Sequence, residues 1–105
     1  MEGSGIRKEV LQEICAFAKQ YHVEKVILFG SRARGDYHRT SDIDLAVLGG
    51  DVARFALDVE EETTTLLKYD IVDLDGVVQP ELRASIEKEG KIIYEKDREL
   101  LCSII

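Results

Sequence analysis

A chain of 105 residues with 14 Lys and Arg against 21 Asp and Glu has a formal net charge of −7. That length supports one hydrophobic core rather than two, and 45% hydrophobic with 33% charged residues is a globular balance, not a disordered one. The acidity excludes a protein that holds nucleic acid chiefly by attracting phosphates over its whole surface.

Ile6, Val10, Leu11, Ile14, Cys15, Phe17, Ala18 and Tyr21 recur at helical spacing and predict an amphipathic helix over residues 6–21. Residues 23–29 follow as a strand. Its apolar end, Val26-Ile27-Leu28-Phe29, predicts burial on both faces. Gly30-Ser31-Arg32-Ala33-Arg34-Gly35 is a glycine-bounded polar turn with room for one helical turn. A second strand spans 42–48. Asp51 then suits the N-cap of a helix over 52–67, with Val52, Phe55, Ala56, Val59, Leu66 and Leu67 as its inner stripe. Residues 69–74 alternate as a third strand. Pro80 and Gly90 bound a helix over 80–89, and 92–94 form a fourth, short strand. Residues 96–105 read as a tail, notably apolar at Leu100, Leu101, Ile104 and Ile105.

The alternation predicts an α/β (α+β) domain over 1–95, with about four strands flanked by helices. The link between the first two strands is too polar for a crossover helix, so a mixed sheet is expected. No apolar run approaches the roughly 18 residues of a membrane span. Residues 1–5 lack the basic-then-apolar layout of a signal peptide. The two cysteines, Cys15 and Cys102, have no metal-ligand spacing. The expectation is a cytoplasmic protein without a membrane partner, with Cys15 a small buried hydrophobe.

Asp42 and Asp44 stand two apart at a strand start, so both project to one face while Ile43 and Leu45 project to the other. Two carboxylates so close repel, and a divalent cation relieves that repulsion. Magnesium takes one or two carboxylates together with substrate phosphates. Upstream, Gly30 lets the backbone approach a ligand, and the amides and hydroxyl at Ser31 suit a phosphate. Arg32 and Arg34 add local positive charge. On the third strand Asp70 and Asp73 have opposite parity, so only one can join the pair. A third carboxylate permits a two-metal site, with ions about 4 Å apart, or a base for an attacking hydroxyl.

Gly30-Ser31, ten intervening residues, then Asp42-Ile43-Asp44 resembles the signature of the DNA polymerase beta-like nucleotidyltransferase superfamily. A chance match of this pattern is roughly a one-in-a-thousand event at average composition, so the spacing is specific. Phe29 through Gly35 with Ser41 through Val47 is most similar to its minimal nucleotidyltransferase (MNT) group. Asp70-Ile71-Val72-Asp73-Leu74 and Ile86-Glu87-Lys88-Glu89-Gly90-Lys91-Ile92-Ile93-Tyr94 extend the likeness. Tyr69 departs from it, standing where a smaller aliphatic residue is usual.

The resemblance implies a polymerase beta palm-like fold. It implies Gly30 and Ser31 as the nucleotide phosphate turn, with Arg32 and Arg34 beside it. Asp42 and Asp44 match the metal pair. Asp70 is the better match for the third carboxylate and Asp73 the alternative. The implied reaction is Mg2+-dependent AMP transfer from ATP to a hydroxyl, with two ions. The chain is nearly all palm, so acceptor recognition is expected from a partner. The resemblance implies a helical HEPN-like protein, in a toxin–antitoxin pair where this chain is the antitoxin. An apolar tail favours a homodimer, and direct polynucleotide binding is not expected. One alternative is a non-catalytic antitoxin acting by contact. An antibiotic nucleotidyltransferase fits poorly, because nothing is left over for a second domain.

Overall fold

A computed structural model describes residues 4–96; the expectations for the apolar tail and Cys102 lie outside the described residues. The elements in chain order are α1 (Lys8–Gln20), β1 (Lys25–Phe29), α2 (Ser31–Arg34), β2 (Ile43–Leu48), α3 (Val52–Glu62), β3 (Tyr69–Asp73), α4 (Pro80–Glu89) and β4 (Lys91–Glu95). Among the described residues, no helix is long and apolar enough to cross a membrane.

The four strands form one mixed sheet in the order β3-β2-β1-β4. β1 pairs antiparallel with β2 and with β4, whereas β2 and β3 run parallel. The polar link between β1 and β2 turns the chain back on itself, and the parallel step is made through α3.

Strand alternation sorts the side chains onto two unequal faces. Val26, Leu28, Ile43, Leu45, Val47 and Ile93 join Val10, Leu11, Ile14, Phe55 and Val59 in the main core beneath α1 and α3. Cys15 is buried there, its thiol donating to the Ile93 carbonyl oxygen at 3.4 Å. Among the described residues, the other face buries Phe29, Ala46 and Ile86, flanked by Ile27, Val72, Leu74 and Leu82. Of the described helices, α4 is the one packed there, and it does not reach the end of that face beyond Ala46 and Val72. Asp44 and Asp70 lie at that end.

Asp51 caps α3 as expected, its carboxylate accepting from the Arg54 amide at 3.2 Å. A cap of this kind contributes about 1 kcal/mol, so Asp51→Ala should lower the melting temperature by about 4–8 °C in a thermal melt. The far end of α3 differs from the expected 52–67. The helix stops at Glu62, Thr63 turns extended at φ −80° and ψ 150°, and the Thr63 hydroxyl donates to the Val59 carbonyl at 2.7 Å. Three glutamates at the C-terminus of a helix dipole and three β-branched residues after them disfavour another turn. Leu66 is consequently fully exposed rather than on an inner stripe, while Leu67 still packs partly on the core.

Candidate active site

The site begins where β1 ends. Gly30 follows Phe29 with φ 74° and ψ −156°, a conformation that only glycine adopts without strain. It caps the single turn α2, closed by Gly35 in the left-handed region at φ 93°. A Cβ on Gly30 would meet Asp44 Oδ2 at 2.2 Å. The turn and the carboxylate are therefore in direct contact, and only an α-carbon without a Cβ fits between them. Ser31 is part-exposed at the start of α2. The Gly30 carbonyl oxygen accepts from the Ala33 and Arg34 amides, each at 3.1 Å, so the Ser31 and Arg32 amides stand ahead of the turn's own hydrogen bonds.

Asp44 sits inside β2, opposite Phe29 across the antiparallel ladder. Asp42 stands two residues earlier, just before the ladder begins, and is exposed. Asp70 is the in-register partner of Asp44 across the parallel β2–β3 pair, where neighbouring strands run about 4.8 Å apart. Asp73 pairs with Val47, on the other parity. Its carboxylate accepts from the Asp75 amide at 2.9 Å and shapes the turn after β3. Of the two alternatives, Asp70 is thus the one brought beside Asp42 and Asp44.

The electrostatics follow from that crowding. Burial first, then the charges of Asp70 and Asp42, push the Asp44 carboxyl above the ordinary aspartate range, with Arg34 and Arg32 opposing. Among the described residues, no group of three or more His, Cys, Asp or Glu is drawn together closely enough to cage a metal. A magnesium ion does not require such a cage, since it usually takes one or two carboxylates and completes its shell with phosphates and water. Hard oxygen donors that repel one another, one of them packed on a glycine, fit that ion.

One of the two arginines departs from expectation. Arg32 was expected at the phosphates. Instead its side chain is buried, 2% exposed, and points away from solvent. Its guanidinium donates to the carbonyls of Ser4, Arg39 and Ser41. Arg34 is exposed and paired with Asp36 at 3.2 Å and Glu89 at 2.9 Å. These partners raise its pKa, the Glu89 hydrogen bond most, so it stays charged at the mouth of the turn. The inward role of Arg32 was missed, although the link over residues 35–42, with Tyr37 as its one large apolar side chain, signals the need for some other tie.

A groove of about 430 Å³ lined by Glu60, Thr65, Leu66, Leu67, Lys68 and Tyr69 lies beside the start of β3. Tyr69 has the opposite parity to Asp70 and packs toward the main core, so the groove is separate from the carboxylates.

Comparison with known proteins bears on what such a site does. A family model described as "Polymerase beta, Nucleotidyltransferase" matches residues 12–99. The chain is 31% identical over 99 residues to "Putative protein adenylyltransferase MJ0604" of Methanocaldococcus jannaschii, covering 83% of this chain and 96% of that protein. It is similar in structure to a chain described as "toxin-antitoxin with AMP-PNP", with TM-score 0.67, 26% identity and coverage of 90% and 82%. A "putative nucleotidyltransferase" from Sulfolobus solfataricus aligns with TM-score 0.57 and 27% identity, covering 90% of this chain and 86% of that one.

Proposed function

The chain belongs to the polymerase beta nucleotidyltransferase family, and from that premise we propose that it transfers AMP from ATP to a hydroxyl on a partner protein, acting as the antitoxin of a toxin–antitoxin pair. The observation that carries this reading is the in-register meeting of Asp44 and Asp70 against the Gly30 turn. The partner is proposed to be a helical HEPN-like protein; the likeness to a toxin–antitoxin structure supports a protein partner.

Asp42 and Asp44 would hold Mg2+, with Asp70 as a further carboxylate within reach. The bound ion supplies charge neutralisation and Lewis acidity at the phosphates. Gly30 brings the backbone up to the phosphate oxygens, and the Ser31 hydroxyl donates to one of them. Arg34, fixed as a cation by Glu89 and Asp36, offsets negative charge at the open side. Asp70, exposed at the edge of the site, accepts the proton of the acceptor hydroxyl. The acceptor oxygen bonds to the α-phosphorus, the bond from that phosphorus to the bridging oxygen breaks, and pyrophosphate leaves.

The test is intact-mass measurement of the partner after incubation with this chain, ATP and Mg2+. The reading expects a mass increase in steps of one adenylyl group, that is AMP less water, absent when Mg2+ is chelated. An unmodified partner that is nevertheless neutralised in cells would overturn it in favour of inhibition by contact.

A further inference from the structure

We propose that Arg32 is a positioning residue that holds Asp42 in register with the phosphate turn; the proposal rests on the reading of Asp42 as an ion ligand. Arg32 and Ser31 are adjacent on α2, so the residue proposed to meet phosphate and the residue that reaches inward share one turn of helix. From there the guanidinium forks onto a single carbonyl, that of Ser41, with Nε at 3.1 Å and Nη2 at 2.9 Å. Nη2 also donates to the Arg39 carbonyl at 3.3 Å, and Nη1 to the Ser4 carbonyl at 2.9 Å. The guanidinium carbon lies over the Tyr37 ring, 4.8 Å from its centroid.

The choice of acceptor gives this contact its consequence. The Ser41 carbonyl and the Asp42 amide belong to one rigid peptide plane. Gripping that oxygen from two nitrogens sets the direction in which the chain enters Asp42. On the far side of Asp42 the Ile43 amide donates to the Lys68 carbonyl at 2.8 Å, but on the entering side Asp36, His38, Arg39, Thr40 and Asp42 are all exposed. The link's own hydrogen bonds are local, between the His38 amide and Ser41 Oγ at 2.7 Å and between the Ser41 amide and the His38 carbonyl at 3.0 Å. Asp44, in contrast, is fixed by the β2 ladder and has no need of the arginine. A lysine in place of Arg32 would keep the charge but lose the planar fork that meets one carbonyl twice.

Arg32→Gln and Arg32→Lys are compared with the unaltered full chain by two measurements, free Mn2+ in an electron paramagnetic resonance titration and amide hydrogen exchange. Loss of a group that orients a ligand weakens ion binding by roughly 10–100-fold, and that is the expected loss for Arg32→Gln, with a smaller loss for Arg32→Lys. Exchange at the His38 and Ser41 amides, which donate within the link, should rise by about tenfold or more while β1 and β2 keep their protection. Unchanged Mn2+ affinity in a folded variant overturns the proposal. So does exchange that rises equally across β1, β2 and residues 36–42, which would mark Arg32 as a general stabiliser. If Arg32→Gln does not fold, Arg32→Lys decides by the same criteria. If the unaltered chain binds no Mn2+, the ion-ligand reading fails, and the exchange pattern still tests the hold on residues 36–42.

Discussion

Replacing Asp42 and Asp44 together with Asn should reduce the proposed metal-dependent AMP transfer by on the order of 10³-fold, equivalent to about 4 kcal/mol of transition-state stabilisation. The same double variant should melt at a higher temperature than the unaltered chain when both are free of metal at neutral pH. The two effects have one cause. Asp44 is half-buried and crowded by Asp70 and Asp42, and its pKa lies above the ordinary aspartate value. The folded chain therefore binds a proton there more readily than the unfolded chain does. The stability linked to that proton is fully present below the ordinary aspartate pKa and is lost as pH rises through the raised one. At neutral pH the repulsion is entirely unrelieved, and Asn removes it. The melting-temperature advantage of the variant should accordingly shrink as the pH falls through the carboxylate range. Added Mg2+ should raise the melting temperature of the unaltered chain and leave the variant unmoved. A variant that transfers AMP at the original rate would exclude these residues from the chemistry. One that melts lower at neutral pH and at pH 4 alike would show that the carboxylates are structural.

Gly30→Ala should be the most damaging single substitution of a small residue. The backbone there, at φ 74° and ψ −156°, costs any other residue about 1–3 kcal/mol. The added methyl would also stand 2.2 Å from Asp44 Oδ2, well inside contact distance. A chain of this size loses about 4–8 °C of melting temperature per kcal/mol. The expected loss is thus about 5–20 °C, with transfer reduced by about 100-fold or more as Asp44 is pushed off its position. The two contributions separate in a double-mutant cycle. With Asp44→Gly in the background the steric conflict is gone, and only the backbone strain should remain. Equal stability losses in the two backgrounds would mean that the turn and the carboxylate do not touch.

Much of the scaffold was legible because it rests on local patterns. Ile43, Leu45 and Val47 alternate against Asp44 and Ala46, and the sheet sorts them to its two faces as read. Asp51 at the start of α3, and Pro80 and Gly90 around α4, mark helix ends through backbone chemistry that needs no distant partner. The end of α3 was misread because Leu66 and Leu67 continue the apolar period. Period alone ignores the acids and β-branched residues that stop the helix before it reaches them. For the site, Gly30, Ser31, Asp42 and Asp44 lie on one short stretch and were visible as a spacing. Asp70 was preferred to Asp73 through the family likeness alone, since the residues themselves leave that choice to how β3 is registered against β2. Arg32 was harder still. Its partners are main-chain carbonyls at Ser4, Arg39 and Ser41, and a carbonyl looks the same under every residue letter.

Asp70 lies on β3, the outermost strand on its side of the sheet. Chemistry carried out at a rim needs no entrance to open and no chamber of matching shape. Under the proposed reaction, a bulky protein could slide its hydroxyl in from the side without disturbing a single core contact. Recognition of the nucleotide and choice of the modified protein would then be written in separate parts of the molecule. The former is tied to the Gly30 turn and the β2 ladder. The latter is left to whatever surface lies alongside β3, where side chains can change without cost to the fold.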